Sequence, residues 1–199
     1  MTPSSLIALI EARASVRRYD PRPVPDDVIL SIVEAARHAP SAENSQPWRF
    51  VIVKGPEARR RLSRECFSGI YAPTRFAARA PVMVALCADR AKLLERAAEM
   101  IQRVAFYQLD CGIAGEHLVL AAAALGLGAC WIGWFDRRKA KRALGVPAHV
   151  EVVSLIAVGY PAEGIAPRRK ARRPLASMMW LDAWGKRYPG ADHRDSEEK

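Results

Sequence analysis

Residues 91–125 contain no proline and only two glycines, Gly112 and Gly115, and are rich in Ala, Leu, Glu and Arg. Such side chains lose little freedom in a helix, so the stretch reads as one long helix or two abutting ones, ending at Gly126. Its second part, residues 113–125, is apolar nearly all round. A helix without a polar face belongs in a core or at a subunit interface. The rest of the chain has to fold around it.

Four apolar or β-branched runs, 49–53, 81–87, 129–135 and 150–158, read as strands. The second has almost no polar residue, which predicts cover on both faces. Shorter helices are predicted over 3–12, with Thr2 as N-cap and Pro3 in the first turn, from Pro25 to about His38, over 56–64, and over 137–144 behind an Asp136 cap. Residues 73–80 hold a short helical turn. The order predicts an α+β or α/β fold with four or five strands and a buried central helix. No repeat or linker interrupts it, so a single domain is expected over 1–190, with a frayed tail over 191–199. Met178, Met179, Trp180, Trp184 and Tyr188 have no evident partners in the chain, and are expected to pack on a partner subunit.

The chain of 199 residues carries 31 Lys and Arg against 21 Asp and Glu, a net charge of +10. That favours a polyanion or an anionic small ligand. No apolar run is long enough to span a bilayer, and residues 1–5 lack the charged start of a secretion signal, so a cytoplasmic protein is expected. Cys66, Cys87, Cys111 and Cys130 are widely spaced, without a CxxC pair. Free, inert thiols are expected rather than disulfides or a metal site. His38, His117 and His149 are isolated and suggest no catalytic role.

Two segments carry chemistry. In Arg13-Ala14-Ser15-Val16-Arg17-Arg18-Tyr19 an extended backbone would turn Arg13, Ser15 and Arg17 to one side. Two guanidiniums and a hydroxyl suit a phosphate or another flat anion. In Pro40-Ser41-Ala42-Glu43-Asn44-Ser45-Gln46-Pro47-Trp48 a polar loop leads straight into a strand, a common place for ligand contacts.

Together with the passage from Ala121 into Gly128-Ala129-Cys130-Trp131-Ile132-Gly133, with Val158-Gly159-Tyr160-Pro161, and with the basic cluster 168–173 before Pro174-Leu175, these segments resemble the FMN-dependent nitroreductase family over about residues 6–175. The resemblance implies an α+β nitroreductase-like fold: a central, mostly antiparallel sheet of four to five strands flanked by helices, with the long helix at a dimer interface. It implies a homodimer with FMN at the interface, and hydride transfer from NADH or NADPH through FMN to a nitroaromatic, quinone or enone in ping-pong fashion. By position, Arg13, Ala14 and Ser15 would meet the FMN phosphate, joined by Lys170 and Arg172. Arg17 would reach the ribityl chain or the ring. Pro40, Ser41, Ala42, Asn44 and Gln46 would serve the flavin, the loop coming from the partner subunit. Ile132 and Gly133 would pass the ring, with a backbone N–H near N5. No side chain is required as acid or base, and no metal.

The sequence departs from the family at Ala14, where many members carry a second Arg or a His, and Trp131 and Trp134 make the strand near the ring bulky. The alternatives are a relative with different chemistry, such as reductive dehalogenation or flavin reduction or breakdown, and a basic nucleic-acid-binding protein. Against the latter, the sequence shows no helix-turn-helix, RRM or zinc pattern.

Overall fold

The computed structural model describes residues 2–90, 103–164 and 171–191. They belong to two compact units, Met1–Pro167 and Arg168–Lys199.

In the first unit, α1 (Pro3–Ala12) starts on Thr2, whose hydroxyl accepts the Ser5 N–H at 3.3 Å. Next come α2 (Asp26–Arg37), β1 (Trp48–Val53), α3 (Pro56–Cys66), a 3-10 stretch (Gly69–Arg79) and β2 (Val82–Asp89). After them stand α4 (Phe106–Ala124), β3 (Gly128–Ile132), α5 (Arg137–Ala143) and β4 (Val150–Gly159). The first part of the expected long helix, residues 91–102, lies outside the described residues.

The sheet runs β1-β2-β4-β3 with every neighbouring pair antiparallel, so the fold is α+β with four strands. On one face Met83, Ala85 and Cys87 pack with Leu62 of α3 and Ala140 of α5. On the other, Val82 and Val84 pack with Ile29 and Ile32 of α2 and with Leu118 and Val119 of α4. Helices on both faces explain why β2 is buried from Val82 to Ala88 without polar alternation.

α4 lies so tightly on β3 that a Cβ at Gly115 would sit 2.2 Å from the Trp131 ring. Gly115 therefore makes room for the indole, and Trp131 joins the core rather than the surface. β3 stops three residues short of its predicted end. Its ladder runs out at Ile132 opposite Leu155, and Trp134 is drawn away by a hydrogen bond from its indole N–H to the Ile70 carbonyl at 2.9 Å.

All four cysteines are free and buried. Burial pushes the Cys66 and Cys111 thiols up to about 12 and Cys87 up to about 11. Reactivity belongs to the thiolate, so the native protein should leave Ellman's reagent uncoloured at pH 8. Four thiols should appear only on adding denaturant.

In the second unit, Trp180 and Arg187 form an antiparallel bridge around a tight turn. Trp180 and Trp184 stack with centroids 3.9 Å apart. Two of the tail aromatics thus pair with each other, while Trp184 stays 86% exposed.

Candidate active site

The Arg13–Tyr19 segment runs as a rail beside β3. Arg13 caps α1 in an extended conformation. Ser15 bridges Ala129 in parallel, and the Val16 N–H donates to the Ala129 carbonyl at 3.0 Å. Val16 turns inward against Gly128, where a Cβ would meet its side chain at 2.5 Å. Alternation along an extended chain then gives Ser15 and Arg17 the opposite side, as the sequence suggested. The far end of the rail is tied down by Tyr19, whose buried hydroxyl faces the Val16 carbonyl at 2.6 Å and the Ala157 carbonyl at 3.3 Å. Burial raises the Tyr19 pKa far above its ordinary value, so the phenol keeps the proton it donates. Tyr19→Phe should lower stability by about 1 kcal/mol in urea titrations, the net value of one such bond.

Arg13 is half-buried, with Nε 3.8 Å from a Glu116 carboxylate oxygen on α4. The exposed Arg17 guanidinium lies 5.7 Å from the centre of the Phe76 ring in the 3-10 stretch. Ala14 is half-buried and contributes backbone.

The second segment is a knot of short-range bonds. The Asn44 N–H donates to the Ser41 carbonyl, and the Ser45 N–H to that of Ala42. The Gln46 N–H reaches the Ser41 hydroxyl at 3.0 Å, and the Gln46 amide reaches the Asn44 side chain at 2.9 Å. Glu43, Asn44 and Gln46 all have left-handed backbones, with φ of 50°, 53° and 48°, which costs non-glycine residues energy. Asp110 of α4 holds the knot. Its carboxylate accepts the Ala42 N–H at 3.2 Å and the Ser45 hydroxyl at 3.5 Å. Asp110 is 5% exposed. Burial pushes its carboxyl pKa up, and those two donors oppose the shift. Pro40, Asn44 and Gln46 are exposed, Ser41 and Ala42 half-buried.

α4 therefore anchors both segments, but on different sides. Glu116, which meets Arg13, stands six residues beyond Asp110, which is about 120° around a helix of 3.6 residues per turn. Each acid ties a neighbouring segment to the helix, Asp110 the polar loop and Glu116 the rail.

At the end of β3, Ile132 is buried and Gly133 exposed. The Thr74 hydroxyl donates to the Trp134 carbonyl at 2.9 Å, and the Tyr71 ring lies 5.2 Å from the Trp134 ring. The 3-10 stretch thus touches both Arg17 and Trp134. Sequence reasoning missed Tyr71 and Phe76 at the site; their only signal was a cluster of aromatics in a proline-broken segment. Of the remaining expected residues, Arg172 is exposed in the second unit, and Lys170 lies outside the described residues. His38 meets Glu34 at 3.1 Å, a helix-surface pair. Among the described residues no helix is long and apolar enough to cross a membrane.

The Nitroreductase family model matches residues 10–160. The chain is similar to an Archaeoglobus fulgidus protein provisionally named NADH dehydrogenase/NAD(P)H nitroreductase, 34% identical over 161 residues, which are 79% of this chain and 86% of that one. It superposes on a nitroreductase family protein from Clostridium difficile 630 with a TM-score of 0.75, at 26% identity over 89% of this chain and 98% of that one. An FMN-dependent nitroreductase from Clostridium difficile R20291 gives a TM-score of 0.67, at 26% identity over 81% of this chain and 91% of that one.

Proposed function

The chain belongs to the nitroreductase family of oxidoreductases, and on that premise we propose that it is an NAD(P)H-dependent flavoenzyme with FMN as its flavin. The observation that carries this reading is the rail: two arginines and a serine on a segment tied at Ala129 and Tyr19, beside the start of β3. A mononucleotide phosphate carries a charge near −2 and needs several converging donors. Arg13 and Ser15 meet that need, with the Ala14 backbone beside them. FMN, when bound, supplies the redox chemistry, accepting a hydride from NADH or NADPH and passing it to an acceptor. Arg17 provides a cation for the electron-rich edge of the ring system, held near Phe76. Gly133 is exposed, and in this reading its backbone N–H serves the ring. Nitroaromatics, quinones and enones are the acceptor classes in this reading.

The reading includes a homodimer. Leu109 and Ile113 of α4 are 57% and 40% exposed, and on α1 Leu6, Ile7 and Ile10 are also open. Apolar surface of that kind on neighbouring helices marks an interface. The Pro40–Gln46 loop stands on another side of α4 from Arg13, so it is free to serve the site of a second copy.

The test is a purified protein reconstituted with FMN. A yellow dimer of about twice 22.0 kDa, oxidising NADH or NADPH with parallel double-reciprocal plots, is expected. Arg13→Ala should weaken FMN binding. A protein that binds no FMN in a fluorescence titration and oxidises neither nicotinamide sinks the proposal.

A further inference from the structure

Trp134 is the side chain that the reading above leaves without a task. The residue is 54% exposed, yet it is held firmly. The indole N–H donates to the Ile70 carbonyl at 2.9 Å, and its own carbonyl accepts the Thr74 hydroxyl at 2.9 Å. Tyr71 leans on it at an interplanar angle of 54°. The polar atom of the indole is therefore satisfied, and what remains open is aromatic surface. A lone exposed tryptophan needs no explanation; one whose N–H, carbonyl and ring edge are all fixed is a preorganised platform.

Its place matters as much. Trp134 follows Gly133 directly, and the stretch that fixes it also carries Phe76 against Arg17. One 3-10 segment thus braces both the arginine assigned to the ring system and the indole. Resting on the flavoenzyme reading, we infer that Trp134 is a specificity-determining residue whose face stacks on flat, electron-poor aromatic acceptors. An electron-rich indole attracts an electron-deficient ring in offset stacking, which adds to simple burial. Nitroarenes and naphthoquinones gain from such a platform. A small non-aromatic enone gains little, and an inorganic one-electron oxidant gains nothing. Trp134 therefore favours the planar aromatic acceptors over the non-aromatic ones.

The experiment uses the FMN-reconstituted full chain and two variants. Trp134→Leu keeps apolar bulk and loses the ring; Trp134→Phe keeps a ring and loses the N–H. Steady-state kinetics are measured with menadione, 4-nitrobenzoate, cyclohexenone and ferricyanide. Trp134→Leu should raise KM for menadione and 4-nitrobenzoate about tenfold, the scale of one stacking contact. It should leave cyclohexenone and ferricyanide unchanged, and Trp134→Phe should recover most of the aromatic affinity. An equal change for all four acceptors, or none for the aromatic pair, overturns the inference. A second readout is independent of turnover: menadione should quench indole emission saturably in the wild type, and that component should vanish in Trp134→Phe. If the wild type oxidises no nicotinamide, the oxidoreductase reading fails and this titration alone decides the platform. Quenching that is identical in both proteins then rejects it.

Discussion

Gly128→Val will cost the protein about 2 to 3 kcal/mol, the upper range for overpacking, and with it a fall in Tm of about 4–12 °C for a chain of this size. The reason is local. A Cβ at this position would stand 2.5 Å from Val16 Cγ2, 2.7 Å from its Cβ and 2.9 Å from Cγ1. Val16 is β-branched and stiff, so it cannot swing aside; the rail must move. Ser15 and Arg17 ride on the same backbone, pinned through the Ser15–Ala129 bridge. The variant should therefore lose FMN affinity at least about tenfold, more than its stability loss alone explains, because donor geometry tolerates little displacement. Gly128→Ala should show the same pattern at smaller size. Adding Val16→Ala should restore it only in part, since two Cβ atoms at 2.7 Å still clash. Thermal melts and flavin fluorescence titrations of the three proteins check this. An unchanged FMN affinity in Gly128→Val would disconnect the glycine from the rail.

Asp110→Ala has the opposite signature, a small change in Tm with a large loss of function. The Ala42–Gln46 knot stores strain, because three non-glycine residues sit in the left-handed region, each at about 1 kcal/mol or more. Removing Asp110 deletes the acceptor for the Ala42 N–H and the Ser45 hydroxyl, and the loop relaxes. Released strain offsets the lost bonds, so the melting point moves little. The loop's shape is gone, and in the proposed dimer so is its part of the neighbouring site; FMN affinity should fall about tenfold or more.

Asp110→Asn separates shape from charge, because its amide oxygen still accepts the Ala42 N–H. Burial raises the Asp110 pKa in the folded state. The stability this carboxyl contributes is therefore complete below its unfolded value, near 3.9, and is lost as pH rises through the folded value. Above that folded value the wild type carries a buried charge that the amide avoids. Asp110→Asn should thus be the more stable of the two at pH 7, and the difference should shrink as pH falls toward 4. Urea midpoints across that range check the sign. A difference that grows on acidification would contradict it.

Much of this was legible from side-chain pattern alone. The second part of the unpunctuated stretch ending at Gly126 becomes α4, although residues 103–105 before it are not helical, and the lack of polar residues in β2 announces its two helical covers. Thr2, Pro3 and Asp136 mark helix starts because capping is chemistry between residues a few positions apart. The alternation that turns Ser15 and Arg17 away from Val16 is a property of any extended chain. Local rules decide these features, so local sequence displays them.

What only the tertiary structure decided depends on residues far apart in the chain. Nothing near Gly128 reveals that Val16 will lie against it, and nothing near Ala42 reveals Asp110. β3 ends early because Ile70, more than sixty residues upstream, accepts the Trp134 N–H. The same contact turns a tryptophan that reads as strand into an exposed platform. Periodicity and capping are set by neighbours along the backbone. Close approach, strain and the pairing of buried polar groups are set by which distant segments the packed core brings into touch.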